Sequence, residues 1–196
     1  GLWLGGATGV AACQILIIGA GVVGENAARV CHALGAKVTI MDINLERLRQ
    51  LEQLYQGQIQ TVAFSNQLLQ QLMPQQDVII GAVLRHGASA PKLINKEQLT
   101  QLKPSCLLID VAIDQGGCFA SSKPTTYDDP SYLVDGIRHI CIANLPGGVA
   151  RTATEALCHA TYPFIRQLAD LGIKSAIKQN HFLAQGVNIY KGNIFF

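Results

Sequence analysis

Gln14-Ile15-Leu16-Ile17-Ile18-Gly19-Ala20-Gly21-Val22-Val23-Gly24 is the stretch that decides the fold. Residues 14–18 form a short, nearly continuous apolar run, the pattern of a strand buried on both faces of a parallel sheet. Gly19 to Gly24 then spell GxGxxG. Alone that motif is weak. Here it follows a strand, opens a helix, and is trailed by Asp42 at the end of the next strand, which together make a dinucleotide fingerprint. Gly19 permits the tight turn, Gly21 lets a pyrophosphate approach the backbone, and Gly24 lets the helix pack close to the sheet. The helix start offers free N–H groups and positive potential to phosphates.

Outward from this point the pattern alternates. Val23, Ala27, Val30 and Leu34 recur at helical spacing, with Gly35 as C-cap. Residues 37–42 (KVTIMD) read as a second strand. Asn44 caps a helix whose Leu45, Leu48, Leu51 and Tyr55 share a face, ending at Gly57. Residues 58–64 read as a third strand, and a short helix follows to Pro74. Residues 77–84 (DVIIGAVL) and 106–112 (CLLIDVA) read as the fourth and fifth strands. Between them Asn95 and Gln98 resemble a capping box. A loop rich in Gly, Ser, Pro and Thr runs to about Asp135, residues 139–143 read as a sixth strand, and 151–171 as a helix kinked by Pro163. Strands alternating with crossovers imply an α/β fold, a Rossmann-type doubly wound parallel sheet in one domain.

Composition excludes several classes. The 196 residues are 49% hydrophobic and 14% charged, with a net charge of +2, an apolar globular balance. No basic run suggests nucleic acid or an anionic membrane surface. No apolar run reaches the roughly 18 residues a span needs, and the N-terminal residues lack a signal peptide's basic start. A cytoplasmic protein is expected. Cys13, Cys31, Cys106, Cys118, Cys141 and Cys158 form no CxxC pair and read as small core residues in a reducing compartment, with no metal site.

Asp42 lies at the roughly 20-residue distance at which a carboxylate meets the adenosine ribose hydroxyls. It would repel a 2′-phosphate, which favours NAD over NADP. Arg47 argues the other way, since a guanidinium could meet that phosphate, though it could also cover the adenine face or point to solvent. Ligands of such sheets lie at the carboxyl ends of the strands, so Val83-Leu84, Val111 to Asp114 and Ile142 to Leu145 become candidate contacts. From pattern alone these apolar members could equally be core, and Asp114 could equally be a turn residue. Of the histidines, only His86 stands at a strand's C-terminal end.

At this level of detail the chain resembles the alanine dehydrogenases. The resemblance is carried by DVAIDQGGCF at 110–119, Lys123-Pro124-Thr125-Thr126-Tyr127, IGAGVVGENAA, GAVLRHGASAPKL and IANLPGGVARTAT. It implies NAD-dependent, reversible oxidative deamination of L-alanine to pyruvate and ammonium. It implies a small-molecule substrate and a homo-oligomer, hexamers being common in the family. By motif, Asp114 matches the family's catalytic Asp, which would stabilise positive charge beside the nicotinamide or relay protons. The family's NAD contacts fall on Val22, Val23, Asp42, Arg47, Val83, Leu84, Val111, Ala112, Ile113, Asp114, Lys123, Ile142, Ala143, Asn144 and Leu145, with Ser65 near a family serine. Arg85-His86 replaces the more usual apolar-Pro pair, and Lys123 stands where Arg is common. The resemblance assigns 14–171 to NAD binding, 1–13 to a lead-in from a substrate domain, and 172–196 to a segment returning toward it. The chain then reads as a fragment or truncated product that lacks the family's substrate-binding residues. Two rival readings are the NAD-binding component of a proton-translocating transhydrogenase, whose fifth-strand loop departs from IDQGGCF, and a non-catalytic NAD-binding module.

Overall fold

The computed structural model describes residues 1–85 and 87–194, so His86 lies outside the described residues. The chain divides into two compact units, Gly1–Leu145 and Pro146–Phe196.

The first unit carries β1 (Gln14–Ile18), α1 (Val22–Ala33), β2 (Lys37–Asp42), α2 (Leu45–Tyr55), β3 (Gln60–Ala63), α3 (Asn66–Leu72), β4 (Val78–Gly81), β5 (Leu107–Asp110), β6 (Ser131–Val134) and β7 (Ile137–Ile140). They form a seven-stranded sheet in the order β3-β2-β1-β4-β5-β7-β6. Every pairing is parallel except that of β6 with β7. The six expected strands are β1 to β5 and β7, and they take the doubly wound order whose topological switch lies between β1 and β4. The chain reverses direction across the sheet there, which opens a crevice beyond the carboxyl ends of those two strands.

The apolar run of β1 is continuous because both faces are covered. Ile15 and Ile17 pack with Ala28, Val38, Ile40, Leu48 and Leu51 on one side. Leu16 and Ile18 pack with Met41, Leu69, Ile79, Leu108 and Phe119 on the other. This is the period-two alternation of a strand buried twice.

Helix α1 departs from the expected pattern. Its buried residues are Gly24 and Ala28, while Val23, Val30 and Leu34 face outward. The reason is distance: only the smallest side chains fit where the helix approaches the sheet. A Cβ on Gly24 would stand 1.8 Å from the Gly19 carbonyl oxygen. Helix α2 behaves as expected at Leu48 and Leu51, which are buried, but Leu45 is exposed. Asn44 caps it, its Oδ1 accepting from the Arg47 N–H at 3.1 Å.

Among the described residues the crossover from β4 to β5 has no α-helix. The Asn95 and Gln98 capping box forms in both directions, at 2.8 and 2.9 Å, but it caps a 3-10 turn, Glu97–Gln101. Strand β6 occupies part of the segment expected to be loop. Asp135 and Gly136 both take positive φ, 50° and 79°, which makes the two-residue turn of a tight hairpin. Its strands pair Val134 with Ile137. The hairpin also moves the sixth expected strand: it begins at Ile137 and leaves Cys141 to Ala143 beyond its end.

The second unit carries α4 (Ala150–Gln179), α5 (His181–Gln185), β8 (Ile189–Tyr190) and β9 (Asn193–Ile194). Within α4 the backbone leaves helical geometry at Gly172 (φ 70°, ψ 160°), so the interruption falls there and not at Pro163. Pro163 keeps helical angles, which its fixed φ allows. Past Gly172 the chain folds back, and the Asn180 amide donates to Gln167 Oε1 at 2.7 Å. Among the described residues no helix is long and apolar enough to cross a membrane.

Candidate functional site

The glycine loop fills the crevice end of β1. Gly19 has φ 106°, and a Cβ there would meet the Ala82 carbonyl oxygen at 2.5 Å, so the turn is possible only with glycine. A Cβ on Gly21 would meet nothing within 4 Å. The backbone is therefore open at the residue that caps α1, and among the described residues no side chain caps that helix. An uncapped helix start beside an open glycine leaves N–H groups that can receive an anion.

Asp42 closes the adjoining end of β2. Its Oδ2 accepts from the Ala20 N–H at 2.6 Å and its Oδ1 from the Asn44 N–H at 2.8 Å. A carboxylate offers about four acceptor positions, so two such bonds leave capacity for sugar hydroxyls. Arg47 neither points to solvent nor lies free. Its Nε donates to the Ala20 carbonyl at 2.9 Å, its Nη1 to Gln50 at 3.1 Å, and its Nη2 pairs with Glu25.

The next strand ends line up along the same edge. The Ala82 N–H bonds the Ile18 carbonyl and the Val111 N–H bonds that of Gly81, which carries the register of β1, β4 and β5 into the loops. Val83 is half-buried against the core and Leu84 is exposed. Ala112 and Ile113 are buried, and a 3-10 turn at Ile113–Gln115 presents Asp114 at the surface. Both carboxylate oxygens of Asp114 face the Asn144 N–H, at 3.2 and 3.3 Å, which joins the loop after β5 to the loop after β7. Asn144 adopts φ 52° to make that approach. Ile142 is buried, bridging Thr125, while Ala143 is exposed and the Leu145 carbonyl accepts from the Tyr127 hydroxyl.

Ser65 and Lys123 each make a local hydrogen bond. Ser65 caps α3, its Oγ accepting from the Leu68 N–H at 3.2 Å. The Lys123 N–H donates to Tyr132 Oη at 2.6 Å, and its ammonium is exposed.

Two residues outside the expected contacts, Asp110 and Lys92, shape the Asp114 loop. Asp110, at the end of β5, is buried, and it gathers N–H groups from Ala112 (3.1 Å), Cys118 (2.8 Å) and Phe119 (3.2 Å) together with the Ser122 hydroxyl. Lys92 gathers carbonyls of the same loop, from Gly116, Gly117 (2.8 Å) and Phe119 (3.3 Å). One charge of each sign thus satisfies the backbone of a loop that has no ladder of its own. At Gly81 a Cβ would stand 2.1 Å from Cys118 Sγ, so the loop folds down onto the end of β4. The sequence signal for this role is the acid-to-GG spacing in DVAIDQGG, whose first Asp is Asp110.

Behind the loop, His139 is fully buried. Its Nδ1 lies 2.9 Å from the Ile137 carbonyl and its Nε2 2.7 Å from the Ser121 hydroxyl. The partners set a neutral ring with the proton on Nδ1. Burial pushes its pKa below the ordinary value. The unfolded chain therefore binds more protons, and stability that is present above about pH 6.5 is lost as pH falls below it. Urea midpoints at pH 7, 6 and 5 should fall, and His139→Gln should flatten that dependence. Equal slopes for both proteins would remove His139 as its source.

Four of the six thiols are elements of packing, as expected, whereas Cys31 is half-buried and Cys158 is exposed. Cys13, Cys106, Cys118 and Cys141 are buried and none is in a disulfide; burial pushes Cys106 up to about 12. Among the described residues no group of three or more His, Cys, Asp or Glu is placed to hold a metal.

The family described as alanine dehydrogenase/PNT, C-terminal domain, matches residues 1–196. The alanine dehydrogenase of Halomonas elongata is 49% identical over 196 residues, covering 100% of this chain and 53% of that protein. The alanine dehydrogenase of Mycobacterium tuberculosis is 44% identical over 192 residues, 98% of this chain and 52% of its own length. A solved L-alanine dehydrogenase superposes with TM-score 0.90 at 38% identity, over 99% of this chain and 54% of that one. A transhydrogenase from Sinorhizobium meliloti gives 0.64 at 27%, over 72% and 40%. The chain spans about half the length of the curated relatives it matches.

Proposed function

Because the chain belongs to the alanine dehydrogenase/PNT C-terminal-domain family, we propose that it is the NAD-binding part of an enzyme that reversibly deaminates L-alanine to pyruvate and ammonium. The observation that carries this reading is the open Gly21 at an uncapped helix start, one residue from the Ala20 N–H that Asp42 holds. The residues fit the cofactor: a pyrophosphate needs backbone without a Cβ, and ribose hydroxyls need a carboxylate with spare acceptors.

In this reading the Gly19–Gly24 loop binds the cofactor, Gly21, Val22 and Val23 facing the pyrophosphate on a turn that Gly19 and Gly24 make possible, and Asp42 holds the adenosine ribose. Val83, Leu84 and Val111 to Ile113 line the middle of the crevice, and Ile142 to Leu145 its far end. Arg47 serves by bracing the glycine loop through Ala20, and Ser65 and Lys123 stand at the margins. A bound NAD supplies the hydride acceptor. Asp114 carries charge and proton handling: it is exposed, it lies on the crevice edge, and a carboxylate there opposes positive charge on the reacting nitrogen. Residues 14–171 form the NAD-binding domain of this reading, a homo-oligomer in the cytoplasm its setting, and L-alanine and pyruvate its small-molecule partners. The greater likeness to an L-alanine dehydrogenase than to a transhydrogenase supports the choice of reaction.

The test is a pair of fluorescence titrations of the chain with NADH and NADPH. NADH should bind more tightly, and Asp42→Ala should narrow the gap by about tenfold, the scale of losing one unscreened charge contact. Equal or tighter NADPH binding by the unaltered chain would sink the role given to Asp42.

A further inference from the structure

Resting on the cofactor reading above, we propose that Glu25 is a second determinant of cofactor choice, acting by withholding Arg47 from a 2′-phosphate. The site where such a phosphate would arrive is the end of β2, beside Asp42. Asp42 repels it directly. Arg47 lies on the first turn of α2, one turn beyond Asp42, and hydrogen-bonds the carbonyl of Ala20, the residue whose N–H Asp42 holds. A free guanidinium in that position is the group that usually receives a 2′-phosphate, because its planar fork matches phosphate oxygens.

This guanidinium is spoken for on three sides. Nε is held by the Ala20 carbonyl, Nη1 by Gln50, and Nη2 by the Glu25 carboxylate. Ala20 is buried and is held at both ends, its N–H by Asp42 and its carbonyl by Arg47. The geometry of the guanidinium is therefore fixed relative to the acid it would have to offset. Glu25 sits in the first turn of α1, so its carboxylate reaches across from one helix start to the other.

Charge arithmetic gives the direction. Asp42, Glu25 and Arg47 together carry one net negative charge, which disfavours a phosphate dianion. Removing the charge of Glu25 brings the trio to neutrality and leaves that arm of the fork with only a neutral acceptor, which a phosphate oxygen outcompetes. The pyrophosphate is common to both cofactors, so any effect of Glu25 on the helix start cancels in the ratio of the two affinities. The ratio isolates the 2′-phosphate.

The experiment measures Kd for NADH and NADPH by fluorescence titration of four proteins: the unaltered chain, Glu25→Gln, Arg47→Gln and the double variant. Gln keeps the length of Glu and can still accept a hydrogen bond from Arg47, which protects the fold. Glu25→Gln is expected to shift the Kd ratio toward NADPH by about tenfold. In the Arg47→Gln background the same substitution should shift it by no more than about threefold, since only the direct repulsion of Glu25 remains. An unchanged ratio in Glu25→Gln overturns the proposal, and so does a tenfold shift that persists without Arg47. Failure of the unaltered chain to bind NADH at all would instead bring down the cofactor reading, and this inference with it.

Discussion

In a protein of the relatives' full length, Asp114→Asn is expected to lower the turnover number for L-alanine on the order of 10²-fold, about 2.7 kcal/mol of transition-state stabilisation. Asparagine keeps the shape and keeps one oxygen to accept from the Asn144 N–H, which both Asp114 oxygens now face. The bond between the two loops should survive, and the negative charge alone should be lost. NADH affinity should therefore change little. Steady-state kinetics and a titration on the two proteins decide the matter. Near-normal turnover in the variant would make Asp114 a strut between the ends of β5 and β7 and end its catalytic assignment.

The largest effect on stability is expected at Asp110→Ala. The substitution removes the acceptor for the Ala112, Cys118 and Phe119 N–H groups and for the Ser122 hydroxyl, inside a region where Asp110 and Cys118 are buried. A buried donor left without a partner costs about 1–3 kcal/mol. Three backbone donors then remove several kcal/mol from a total that is about 5–15 kcal/mol for a typical domain. Urea unfolding of the two proteins measures this directly. A loss under about 1 kcal/mol would mean that the loop re-satisfies itself with water and that Asp110 does not organise it.

Much of the architecture could be read in the chain because its signals are local. The run at Ile15–Ile18, the glycine spacing, the Asn44 cap and the Asn95–Gln98 box each act within a few residues, and each takes the conformation its chemistry favours. What escaped was set by contacts distant in sequence. The buried face of α1 is chosen by how near the sheet lies, which selects Gly24 and Ala28 over the larger valines. The role of Asp110 depends on a loop that returns to it eight and nine residues later, and that of Lys92 on carbonyls more than twenty residues away. The β6–β7 hairpin is different. Its Asp135-Gly136 turn is a local hairpin signal, but the strand before it, Ser131–Val134, is only four residues long and follows a Gly- and Ser-rich segment. At the candidate site the sequence marks which residues line the crevice edge, but whether Arg47 is free or held depends on a partner from another helix, Glu25.

The central position of β1 has a consequence for synthesis on the ribosome. Its first neighbour, β2, follows at once, so β1 to β3 with α1 and α2 can assemble early from contacts between consecutive elements. Its other neighbour, β4, arrives late: Gln14 and the Asp77 that receives its N–H are 63 residues apart. Until then one full edge of a strongly apolar strand stands unpaired, a template for joining another nascent chain. Release of polypeptides ending before Val78 should consequently yield aggregates, whereas those ending after Gly81 have that edge closed.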